Sequence, residues 1–158
     1  MQDSSKETDL SKTPSYLSAT LRCKCPRCRR GDLFVNKNPY NLGKKFMKMN
    51  EKCPVCGQPT EIEVGFYYGT SYVSYALGVA FSVALFVAWK VLFGLSFLDN
   101  SIFWWLGTDI VLLILLQPIF MCLSRSLWIS WYVKYNPNWR TEKPKYYERL
   151  NDDLKNAW

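Results

Sequence analysis

The chain has 158 residues, a formal net charge of +7 and no histidine, so imidazole is excluded as metal ligand, general base or haem ligand. Its 49% hydrophobic content would suit an ordinary soluble domain, but the residues are not evenly mixed. The first seventy positions hold most of the charge and five of the six cysteines, whereas 72–133 is dominated by Leu, Val, Ile, Ala, Phe and Trp.

The head, 1–19, is rich in Ser, Thr, Lys and Asp and is expected to be disordered. It lacks the apolar core of a cleavable signal peptide. The cysteines are therefore expected to meet a reducing compartment, where paired C-x-x-C motifs read as metal sites.

Residues 20–64 carry two such pairs, C-P-R-C at Cys25 and Cys28 and C-P-V-C-G at Cys53 and Cys56, with 24 residues between them. Each C-x-x-C turn points two thiolates at one place, and two turns complete a tetrahedron suited to zinc or a single iron. The predicted fold here is a small β zinc ribbon with one four-cysteine site. Gly31 and Gly57 are expected to take left-handed conformations after the knuckles. Leu33, Phe34, Val35, Tyr40, Phe46 and Met47 are expected to form a satellite core. About forty residues bury too little apolar surface to fold unaided, so metal supplies the missing stability. Cys23 reads as a passive thiol, and Cys122 as a small packing residue.

Residues 65–134 read as an α-helical transmembrane hairpin. The spans run over about 72–95, with Lys90 as its only charge, and 103–123, which contains Asp109, Gln117 and Pro118. At a rise of about 1.5 Å per residue, either is long enough for a hydrocarbon core of about 30 Å. Ser74, Gly78 and Ser82 recur every fourth residue, as do Ala76, Ala80, Ala84 and Ala88. One of these small faces is expected to accept the second span. Lys90 and Asp109 are expected at similar depth and in contact. Pro118 is expected to kink its helix.

Twelve Lys and Arg precede the first span and six follow from Lys134 onward, while the intervening SFLDNS has one acid and no base. This asymmetry places both termini in the cytoplasm of a multi-pass inner-membrane protein. Phe66, Tyr67, Tyr68 and Tyr72, Phe103 to Trp105, and Trp128, Trp131 and Tyr132 suit head-group levels. The tail, 135–158, is expected to hold a short amphipathic helix from Pro144 to Leu154.

The ordered set RCKCPRCRRGDLF, KMNEKCPVCG and EVGFYYGTSYVSYA closely resembles a bacterial family catalogued as domain of unknown function 983, in its Bacteroidetes-type form. The resemblance covers roughly 20–134. It implies Cys25, Cys28, Cys53 and Cys56 as shared cysteines and a cytoplasmic ribbon joined to two spans. The family has no established biochemical activity, so the resemblance implies the fold and says little about function. Family members lie near genes for haem-copper oxidase assembly in some bacteria, which implies an assembly role by association only.

No phosphate loop, catalytic triad or paired catalytic carboxylates are visible, so the chain is read as a non-enzyme. The reading is a zinc-dependent interaction or assembly module whose partners are the lipid bilayer and a membrane or cytoplasmic protein. A rubredoxin-like iron electron-transfer module is the first alternative. Nucleic-acid binding by Arg22, Lys24, Arg27, Arg29 and Arg30 is the second, and the less favoured.

Overall fold

A computed structural model describes residues 13–41, 43, 46–63, 65–94 and 100–145. Three helices organise them: α1 (Tyr16–Leu21), α2 (Thr70–Phe93) and α3 (Ser101–Tyr132), with a 3-10 turn over Phe66–Gly69 leading into α2.

Helix α1 falls partly within the head expected to be disordered, and corrects that expectation for residues 16–19. Ser15 caps it, its Oγ accepting from the Ser18 amide at 3.2 Å. The helix also has a surface to lie on. Ala19 and Thr20 are buried, Ser126 donates to the Thr20 carbonyl at 2.9 Å, and the Tyr16 hydroxyl meets Ser130 at 2.9 Å. Tertiary contact with α3 holds a segment whose composition alone would not.

Helices α2 and α3 form an antiparallel hairpin of 24 and 32 residues, about 36 and 48 Å long. Both are long and apolar enough to cross a membrane. A core helix of a soluble protein would be mostly buried, yet Val79, Val83, Val87, Val91, Ile114 and Leu115 are all exposed. Two apolar rods left this bare need an apolar surround.

Small residues set the hairpin register. A Cβ added at Gly78 would lie 3.9 Å from Leu113. Ser82 donates to both carboxylate oxygens of Asp109, at 3.1 and 2.9 Å. Phe86 meets the Trp105 ring edge-on at 5.2 Å. The Ser74–Gly78–Ser82 face thus meets α3, while Ala76, Ala80, Ala84 and Ala88 face outward. The expected Lys90–Asp109 contact is replaced by Ser82–Asp109. Lys90 lies eight residues past Ser82, about 12 Å along α2, and its side chain is exposed. Pro118 sits inside α3 without ending it.

Beyond the hairpin, α3 continues as a strut under the cysteine-bearing segment. Its Ser124, Ser126 and Ile129 are buried there. Trp128 donates from Nε1 to the Phe66 carbonyl at 2.7 Å, and Phe66 packs edge-on against Tyr132 at 5.0 Å. Gly69 permits this approach, since a Cβ there would come within 2.3 Å of Trp128.

The expected β ribbon is not present as strands among the described residues. Pairing is confined to isolated antiparallel bridges, Lys24↔Asp32, Phe34↔Met49 and Lys52↔Pro59. Pro59 has no amide hydrogen with which to extend its ladder, and Pro26 and Pro54 lie inside the knuckle turns. The satellite core also differs. Leu33 and Phe34 are buried, but Val35 and Tyr40 are exposed. Their places are taken by Ile62, Phe66, Ile129 and Val133. The tail helix expected over 144–154 lies almost wholly outside the described residues.

Candidate metal centre

The two knuckles repeat one backbone design. The Arg29 amide donates to the Cys25 carbonyl at 2.7 Å, and the Gly57 amide to the Cys53 carbonyl at 2.9 Å. The Cys25 amide then donates to Gly31 and the Cys53 amide to Gln58, each at 2.8 Å. Gly57 takes the left-handed conformation (φ 69°), as the sequence suggested, but in the first knuckle Arg29 does so (φ 56°) rather than Gly31. Gly31 serves another purpose: a Cβ there would stand 2.3 Å from the Cys53 sulfur. Glycine lets the first knuckle approach the second closely enough for four thiols to meet.

The sulfurs do meet. The Sγ atoms of Cys25, Cys28, Cys53 and Cys56 all lie within 4.8 Å of one another. Cys25 and Cys56 are 3.7 Å apart, as are Cys28 and Cys53. A tetrahedral ion with metal–sulfur bonds of about 2.3 Å has a sulfur–sulfur edge of about 3.8 Å. The four residues therefore fit a tetrahedral thiolate-bound metal ion, and zinc and iron satisfy the same geometry. Cys25, Cys28 and Cys53 are buried and Cys56 is half-buried.

Crowding splits the four thiols, raising Cys25 and Cys53 and lowering Cys28 and Cys56. A hydrogen bond from Cys25 holds the Cys28 thiol well below the ordinary thiol range, and one from Cys25 lowers Cys56 to about 7. Backbone amides of Gly31 and Gln58 also donate to the Cys28 and Cys56 sulfurs. Such donors spread the negative charge that four thiolates place around one cation.

Cys23 stays outside this set. Burial pushes its thiol up to about 12, with Cys122 adding to the rise and a hydrogen bond to Ser126 opposing it. It faces α3 rather than the other knuckle. Cys122 likewise lies on α3 against the edge of the buried core.

Arginines that read in the sequence as orientation charge, or as a nucleic-acid face, have structural partners. Arg27 is only 4% exposed. It donates to the Cys56 carbonyl at 3.2 Å and the Glu142 carbonyl at 2.8 Å. Its own carbonyl accepts from the Asn136 amide at 3.1 Å. Arg29 donates to the Pro14 carbonyl at 3.0 Å and stacks 4.4 Å from the Tyr135 ring centre. Lys24 pairs with Asp32. The first knuckle thereby binds the second knuckle, the entry to α1 and the segment after α3. The one sequence sign of this was the presence of two arginines within and beside a C-x-x-C turn.

Residues 44–131 match the model of a family described as Protein of unknown function (DUF983). The match takes in Cys53, Cys56 and both apolar helices, and begins after the first knuckle. No curated protein and no solved structure matches the chain.

Proposed function

The chain belongs to the DUF983 family, and from that premise we propose that it is a membrane-anchored zinc module that binds or assembles a partner protein and does no catalysis of its own. The carrying observation is the four-sulfur cluster, with all Sγ atoms within 4.8 Å, joined to the end of an apolar helix hairpin. Zinc with four thiolates is redox-inert and coordinatively closed, so its contribution is to fold and stiffen the chain around it. The knuckle arginines extend that stiffening to the segments flanking the helices. The charge asymmetry supports a bacterial inner-membrane location with both termini in the cytoplasm. Residues 20–64 then act as a compact zinc-ribbon-like platform at the inner face.

Nucleic-acid binding is the weaker reading because Arg27, Arg29 and Lys24 are already engaged within the protein. Two measurements test the proposal. Elemental analysis of purified protein should give one zinc per chain. Iron with visible colour would instead favour one-electron transfer. Cross-linking in intact membranes should then recover a reproducible protein partner from wild type and lose it in Cys53→Ser. A partner retained by the metal-free variant overturns the role assigned to the module.

A further inference from the structure

Between α2 and α3 is a cavity of about 720 Å³, on the side of the Ser82–Asp109 contact nearer the cysteine module. That volume lies in the usual range for small-molecule sites, about 300–1,000 Å³. Apart from Ser82, its deeper lining is apolar, with Gly78, Leu113 and the exposed Val79 and Val83. Because these residues belong to the helices that cross the membrane, an acyl chain can enter from the side.

The end nearer the cysteines is different. Arg125 lines it. One guanidinium N–H goes to the Met47 carbonyl at 3.0 Å, and the guanidinium carbon lies 5.5 Å from the Tyr67 ring centre. The guanidinium has five N–H donors in all, so donors remain for an anion. Among the described residues no carboxylate pairs with Arg125. A positive charge at the head-group level of an apolar slot is complementary to a phosphate carrying acyl chains. Ser74 and Gln117 lie deeper in the same cavity, with hydroxyl and amide donors. Gln117 is eight residues, about 12 Å, from Arg125 along α3, and the long arginine side chain shortens the gap. That places hydrogen-bond donors on the path of a lipid's glycerol esters.

We propose that this cavity is a site for one anionic phospholipid, with its phosphate on Arg125, its ester region near Ser74 and Gln117, and an acyl chain leaving past Val79 and Val83. Neutral lipids lack the net negative charge that Arg125 complements. The site requires the hairpin to lie in a bilayer, but it does not require zinc or a protein partner.

The test uses the full chain in nanodiscs of equal phosphatidylglycerol and phosphatidylcholine, extracted into mild detergent and weighed intact by native mass spectrometry. Wild type should retain one phosphatidylglycerol in preference to phosphatidylcholine. Arg125→Gln removes the charge and Ser74→Leu fills the slot. Each should lower retention at least tenfold while the protein stays folded by its helicity, and Arg125→Lys should restore most of it. Equal retention of both lipids, retention of neither, or retention unaltered in a folded Ser74→Leu protein overturns the proposal. Cross-linked partner recovery unchanged in Ser74→Leu would separate this site from the function of the cysteine module.

Discussion

The Arg27 guanidinium donates to the backbone carbonyl of Glu142, 115 residues further along the chain, at 2.8 Å. Arg27 sits between two cysteines of the four-sulfur cluster, so the segment following the second long apolar helix is hydrogen-bonded to the first knuckle itself. The same guanidinium reaches the Cys56 carbonyl at 3.2 Å. One buried cation therefore joins both knuckles and the tail. Among the described residues its charge is met by carbonyl dipoles rather than by an acid.

Arg27→Ala should release the tail. Hydrogen bonds from a charged donor contribute about 1.5–3 kcal/mol, and truncation leaves carbonyls in a buried site without their donors. Hydrogen exchange over 136–142 should accelerate while the amides within α2 and α3 keep their protection. Unchanged exchange in that segment would mean that the clasp contributes little. Arg27→Lys should rescue only in part, because an ammonium cannot span two carbonyls as a planar fork does.

Substitutions at two glycines should separate close approach from backbone strain. Gly31→Ala places a methyl 2.3 Å from the Cys53 sulfur, so it should reduce metal occupancy severely. Gly57→Ala meets nothing nearer than Pro144 at 3.8 Å and suffers only from its φ of 69°. The left-handed conformation costs about 1–2 kcal/mol for a residue with a Cβ. Gly57→Ala should therefore keep its metal and melt at a modestly lower temperature. Metal content by mass spectrometry, read beside thermal melting, distinguishes the two.

Acid should empty the centre. Every ligand must be a thiolate in the bound state, so metal binding releases protons and affinity falls as pH falls. Cys56, lowered to about 7, and Cys28, lower still, reach the thiolate form first. A competing chelator should strip the ion faster at about pH 5.5 than at about pH 7.5, with folded signal from residues 20–64 lost in step. Metal-free protein should keep its helices, because α2 and α3 close their own backbone hydrogen bonds.

Much of this could be read in the amino acids because its signals are local. The paired C-x-x-C turns specified all four sulfurs that cluster, and the apolar runs marked both long helices. The four-residue spacing of Ser74, Gly78 and Ser82 marked the face that meets α3. What could not be read depends on contacts distant in sequence. Helix α1 exists because α3 continues past its contacts with α2 and offers Ser126 and Ser130 to it. The strand expectation failed because Pro26 and Pro54 occupy the knuckle turns and Pro59 lacks the amide hydrogen to extend its bridge, so pairing stays at isolated bridges. Trp128 reads as an interfacial ring, yet its indole nitrogen is committed to Phe66. The buried role of Arg27 needed the tail to fold back across the knuckle, which no local pattern announces.

The hairpin rests on a polar contact that its own sequence made look like an ion pair. Asp109 is buried and accepts from Ser82 at 2.9 and 3.1 Å. Interhelical polar contacts in membranes contribute about 0.6 kcal/mol on average, and rarely more than about 1.7. Ser82→Ala removes the donor and leaves the carboxylate in the hairpin, so it should destabilise by more than that average. Asp109→Asn keeps an acceptor oxygen without the charge and should be close to neutral. In the double variant, adding Ser82→Ala to Asp109→Asn should cost less than Ser82→Ala alone. Lys90→Gln should leave hairpin stability unchanged, because Lys90 lies about two turns along α2 from Ser82 and is exposed. Reversible unfolding in mixed micelles measures all of these. A Lys90→Gln loss as large as that of Ser82→Ala would restore the ion pair and displace the serine from its role.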